Sequence, residues 1–149
     1  MNESIKKLLT SPDLDWQLVL DAAIAEFGGS TGTLHRWDDA NNFLTLVAQR
    51  GIPEKLIPVI SKIPMGKGIA GAAAERREPV ELCNLQADLG GVAKEGARQT
   101  NVKGSLAVPC LYQGKLRGTL GIGLMTPHDF TETEKTRLMT MAGELAGKL

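Results

Sequence analysis

Charge of one sign is missing from this chain, for 17 basic and 17 acidic residues cancel over 149 positions. Without a basic stripe there is nothing to grip a nucleic-acid backbone or an anionic lipid surface, so neither is expected as a partner. Long hydrophobic runs are missing too. No apolar span reaches the roughly 18 residues that a membrane helix needs, and Met1 to Lys7 has no apolar run behind it. Neither a signal peptide nor a membrane anchor is therefore expected, and the expected setting is cytoplasmic. Cysteine is scarce: Cys83 and Cys110 are the two present, and they form no Cys-x-x-Cys pair. That count excludes a disulfide framework or a zinc knuckle. Each cysteine falls in or beside an expected strand, where a free thiol packs as a small hydrophobe. The two histidines, His35 and His128, are too far apart for a local metal site. No metal and no cofactor is expected.

What is present is a clear succession of elements, expected to form one domain over residues 1–149. Ile5, Leu8 and Leu9 recur at helical spacing in a short first helix over 2–10. Ser11-Pro12-Asp13 reads as a helix start, with a capping hydroxyl, a proline and an acid in order. Trp16, Val19, Leu20, Ala23, Ile24 and Phe27 then form one apolar stripe that Gly28-Gly29 ends. Strands are expected over 32–37 and 43–50 around the turn-rich 38–42, with Leu44, Leu46 and Ala48 on one face of the second. Residues 52–63 are mixed, because Leu56, Ile57 and Ile60 favour a helical turn or two that Pro53 and Pro58 keep short. The alanine-rich stretch 69–77 predicts a helix and 79–82 a strand. Residues 84–101 carry no firm period and read as a long loop, the kind of segment in which binding groups commonly sit.

Lys103 to Leu149 is the most informative part. Two apolar runs flank the turn Gln113-Gly114-Lys115 and predict a hairpin. Thr131 and Glu134 then form a capping box that opens a helix with the stripe Leu138, Met141, Ala142 and Leu145. On the last strand Thr119, Gly121 and Gly123 alternate with Leu120, Ile122 and Leu124. Alternate glycines let another group approach the backbone closely, either a helix or a ligand.

Several stretches in this order resemble the GAF domain. They are Leu46 to Pro53, Ile63 to Gly71 with its Gly66-Lys67-Gly68 core, and Arg77-Glu78-Pro79-Val80. Ser105 to Pro109, Gly118-Thr119-Leu120 and the closing Phe130 to Glu134 complete the set. The resemblance covers essentially the whole chain and implies an α/β fold of the α+β, profilin-like type. Its expected form is a central antiparallel sheet of five to six strands, with terminal helices on one face and a ligand pocket on the other. A roof is expected from the loop after the third strand. Such domains often pair through their terminal helices, so a homodimer is expected.

Gly66-Lys67-Gly68-Ile69-Ala70-Gly71 satisfies G-x-G-x-x-G, but no hydrophobic strand runs directly into it and the next suitable acid, Asp88, falls in a loop. A tight turn into a helix is the expected role. Free methionine-(R)-sulfoxide reductases are similar small GAF proteins that work through cysteine thiolates. The positions matching those cysteines hold Ala70 and Lys94, which disfavours that enzyme. For cyclic nucleotide, Lys94, Phe130 and Glu134 match the family's pattern, but Ala93 stands at its asparagine position. His35 is the one candidate for haem ligation, against the commoner hydrogen-bonded strand histidine.

The expectation is thus a non-catalytic small-molecule sensor that signals through a separate effector protein. Its expected pocket residues are His35, Trp37, Asn84, Asp88, Lys94, Arg98 and Thr119. The aromatic ring and the histidine would frame the ligand, and the charged roof residues would hold its polar end. A second expectation is a dimerisation module whose faces are the stripes Ile5-Leu8-Leu9 and Leu138-Met141-Leu145.

Overall fold

The computed structural model describes residues 3–82 and 102–149. Their backbone forms helices α1 (Glu3–Leu9) and α2 (Trp16–Phe27), then strands β1 (Thr31–Asp38) and β2 (Phe43–Arg50). A 3-10 turn (Glu54–Leu56) leads into the one-turn helix α3 (Ile57–Ile60), strand β3 (Lys62–Pro64), helix α4 (Gly68–Arg76) and strand β4 (Val80–Leu82). Strands β5 (Gly104–Tyr112) and β6 (Lys115–Leu124) precede helix α5 (Glu132–Ala146). The six strands form one antiparallel sheet in the order β3-β2-β1-β6-β5-β4. This is the α/β fold with a central antiparallel sheet that the sequence predicts.

The apolar stripes decide which face each helix covers. Ile5 of α1, Val19 and Leu20 of α2, and Leu138 and Leu145 of α5 are all fully buried. They pack in one core against Leu34, Leu106, Val108, Leu120 and Ile122, the residues that alternate onto that side of the sheet. Helices α1, α2 and α5 therefore share one face. The two terminal stripes expected as a dimerisation surface are used inside the protomer's own core.

Helix α4 lies on the opposite face. Its Ala72 and Ala73 pack with Val80 and Ala107, and its Ala74 packs with Leu44 and Leu116. Alanines at these positions bring the helix axis close to the sheet.

Three details differ from the sequence reading. Helix α2 is capped by Asp15, whose Oδ1 accepts from Gln17 N–H at 2.9 Å. Ser11 instead closes the preceding turn, where its Oγ accepts from Asp13 N–H at 3.3 Å. Leu14 packs on the core and carries the chain to the next available cap. The second difference is β3, a three-residue edge strand within the stretch that reads as mixed. Its pairing to Phe43–Thr45 is a long-range contact that no local pattern announces.

The third is a bulge in β2. Leu34 pairs with Ala48 but His35 pairs with Leu46, so Val47 is an extra residue. Leu44 consequently packs beside Trp37, while Ala48 joins the helix-side core. The simple alternation that places Leu44, Leu46 and Ala48 on one face fails because the bulge inverts the pleat between them.

The C-terminal helix begins as predicted. Thr131 Oγ1 accepts from Glu134 N–H at 3.1 Å, and Glu134 Oε1 accepts from Thr131 N–H at 2.8 Å. No helix among the described residues is long and apolar enough to cross a membrane.

Candidate ligand pocket

The face of the sheet away from α1, α2 and α5 holds a cavity of about 260 Å³. Alternation along the strands determines its floor. Thr31, Thr33 and His35 point there from β1, Gly121 and Gly123 from β6, and Ser105 and Ala107 from β5. One wall is apolar and comes from Ile52, Leu56, Val59 and Ile60; another comes from Gly68, Ile69 and Ala70 at the start of α4.

The alternate glycines of β6 thus face the cavity. A Cβ on Gly121 would meet Thr33 Oγ1 at 3.0 Å and little else. One on Gly123 would run into Thr31 Oγ1 and lie 2.8 Å from Val102. Side chains here would fill the floor, so glycine keeps the volume open.

The G-x-G-x-x-G segment is a turn into α4. Gly66 and Gly68 take φ of 84° and 64°, and Gly66 N–H donates to the Gly71 carbonyl at 2.9 Å. A Cβ on Gly71 would stand 2.7 Å from the Pro64 carbonyl oxygen. These glycines pack the helix start against β3, as the sequence predicts.

His35 is the polar centre of the floor and is only 1% exposed. Its Nε2 lies 2.9 Å from the carbonyl oxygen of Ile60. A carbonyl has no proton to give, so Nε2 carries the hydrogen and donates it. Burial favours the neutral ring and holds the imidazole below its ordinary pKa, partly offset by the hydrogen bond to Ile60, which acts in the other direction. Nδ1 is buried and has no hydrogen-bond partner among the described residues. The hydrogen-bonded strand histidine is the outcome found.

The other expected pocket residues are placed unevenly. Thr119 sits opposite His35 on β6, is 1% exposed, and its Oγ1 also lacks a partner among the described residues, but it does not line the cavity. Trp37 shares the face of His35 yet packs with Leu44, Ile63, Ala70 and Leu111, its indole N–H donating to Asp39 Oδ1 at 3.2 Å. Asn84, Asp88, Lys94 and Arg98 lie outside the described residues.

Sequence reasoning did not assign the wall residues Ile52, Leu56, Val59 and Ile60 to the pocket, although it read Leu56 and Ile60 as part of a helical turn. Their signal was present, since a short apolar stretch broken by Pro53 and Pro58 cannot continue as a helix and must cover something else.

A family model described as GAF domain matches residues 16–147. The chain belongs to the GAF domain family. Solved structures agree on the GAF fold. The GAF domain of a phosphoenolpyruvate-protein phosphotransferase from Coxiella burnetii is 26% identical with a TM-score of 0.78, over 97% of this chain and 91% of that one. A GAF domain from the Acinetobacter phosphoenolpyruvate-protein phosphotransferase is 19% identical with a TM-score of 0.76, over 99% and 93%. Free methionine-R-sulfoxide reductase from Neisseria meningitidis, in complex with its substrate, is 20% identical with a TM-score of 0.73, over 98% and 86%. No curated protein sequence gives a significant match.

In this GAF domain Ala70 lines the cavity and supplies no thiol. Cys110 is fully buried on the opposite face, among the helix-side core residues. Burial pushes its thiol up to about 12, so it is no thiolate at neutral pH. Among the described lining residues the charged ones are Lys62 and Lys67, and none is a carboxylate.

Proposed function

We propose that this GAF domain is a non-catalytic sensory module that binds a small molecule in the sheet-face cavity and signals through a separate effector protein. The observation that carries the reading is the cavity itself, a largely apolar chamber on a glycine-lined floor where the buried His35 stands with the hydroxyls of Thr31, Thr33 and Ser105. Few precisely placed polar groups in an apolar hollow are what small-molecule sites require. At about 260 Å³ it suits a ligand below drug size.

A sulfoxide reductase needs a thiolate beside its substrate. Ala70 on the wall and Cys110 on the far side of the sheet both speak against that chemistry here. The proposal includes a cytoplasmic setting and a homodimer. Such a dimer would use a surface other than the terminal stripes, which are buried in the protomer. The burial of those stripes in the protomer speaks against a dimerisation module built on them.

Native mass spectrometry of freshly purified protein, set against its denatured mass, tests the reading. Added mass that leaves on denaturation is the expected result and gives the size of the ligand. Bare mass, together with no thermal stabilisation by any member of a small-molecule panel, would count against the sensor.

A further inference from the structure

We propose that the ligand of this cavity is an apolar-bodied molecule carrying a neutral O–H or N–H group that donates to Nδ1 of His35. The inference rests on the sensor reading and narrows it to a chemical class. His35 lines the cavity and is 1% exposed, and its Nε2–H is committed to the Ile60 carbonyl at 2.9 Å. In that tautomer Nδ1 has a lone pair and no hydrogen. It is buried without a partner among the described residues, a state that costs free energy until a donor arrives.

The rest of the lining restricts which donor fits. No carboxylate among the described lining residues pairs with an ammonium group, and Lys62 and Lys67 oppose a cation. The remaining described wall is largely aliphatic and matches an apolar body. Hydroxyl, pyrrole-type N–H and amide N–H are the donors that meet these conditions. The anchoring of Nε2 on Ile60 holds the ring in place and ties the ligand contact to the wall formed by α3.

Indole, 1-methylindole and indene test this, because they share a bicyclic body and only indole carries a donor. Calorimetry on the wild-type protein is expected to give indole an affinity about tenfold above the other two, the worth of one good hydrogen bond. His35→Phe is expected to remove that preference while indene still binds. Nitrogen-edited NMR of wild-type His35 gives an independent reading that needs no variant, since Nδ1 should shift with indole and stay unmoved by 1-methylindole. Equal binding of all three with no Nδ1 shift would overturn the donor inference and leave the sensor reading standing. Binding of none would overturn the inference, and a bare native mass as well would remove the sensor reading.

Discussion

His35 and Thr119 face each other across the β1–β6 ladder, each 1% exposed, and neither His35 Nδ1 nor Thr119 Oγ1 has a partner among the described residues. Two unpartnered polar atoms in one cross-strand pair are unusual in a folded interior, where such groups are nearly all bonded. His35 lies on the cavity floor with Thr119 beside it, and the energetics of the pair give the first two predictions.

Replacing Thr119 by valine removes a buried hydroxyl with no partner among the described residues. The expected change in stability lies between neutral and about 1 kcal/mol stabilising, because an unsatisfied group is exchanged for a methyl. Chemical denaturation measures it. A loss above about 1 kcal/mol would mean that the hydroxyl is bonded in solution.

His35 predicts an acid-sensitive step. Its folded pKa lies below the ordinary 6.5, chiefly through burial, so the unfolded chain binds the proton more readily. Above 6.5 both states are neutral and the residue adds no pH dependence. As pH falls below 6.5 the unfolded state gains a proton first and stability declines, until the folded value is reached. Stability measured from pH 8 to 5 should therefore slope more steeply for the wild type than for His35→Phe. Parallel curves would show that His35 titrates alike in both states.

The two faces of β6 should respond in opposite ways to added methyl groups. Gly118→Ala puts its Cβ against the His35 carbonyl oxygen and 2.7 Å from Leu149 Cδ2, so it should destabilise by about 1–3 kcal/mol or more. Gly121→Val points into the cavity, with Thr33 Oγ1 as its close neighbour. Its expected signature is loss of indole binding with a stability cost smaller than that of Gly118→Ala. Thermal melts and calorimetry on both variants check the contrast.

Cys110 should be inert while the protein is folded. Its burial in the helix-side core and its raised pKa leave no accessible thiolate. Alkylation followed by peptide mapping should find the Cys110 peptide modified only at the rate of unfolding. Rapid modification under native conditions would contradict this placement.

The capping box of α5 should be worth about 1 kcal/mol, lost in Thr131→Ala. Glu134 has a lowered pKa, first from the Thr131 backbone hydrogen bond and then from His128. Its contribution is therefore full above the ordinary 4.5 and fades as pH falls through the folded value. Denaturation of Glu134→Gln and wild type should consequently converge at acid pH, whereas the deficit of Thr131→Ala, which loses only the neutral hydroxyl contact to Glu134 N–H, should persist.

Much of the architecture was legible because local periodicity carries it. The stripe Trp16 to Phe27, the box Thr131 and Glu134, and the runs around Gln113-Gly114-Lys115 each announce an element from neighbouring residues alone. Glycines at 121 and 123 even mark the face that must stay open. The site was legible only in part. His35 is on the floor and Thr119 beside it, but Trp37 packs into a satellite core, and the aliphatic wall from Ile52 to Ile60 was not foreseen.

The sequence by itself determined the longer helices and strands, since these follow from side-chain spacing and from caps within a few residues, but not the edge strand β3, which exists only through its pairing to Phe43–Thr45. Tertiary structure alone decided three further points: that Val47 bulges and turns Leu44 away from Ala48, that His35 Nε2 finds Ile60, and that Cys110 faces away from the cavity. Each depends on register between segments distant in the chain. Register is set by the packing of whole faces, and a shift of one residue exchanges one face of a strand for the other.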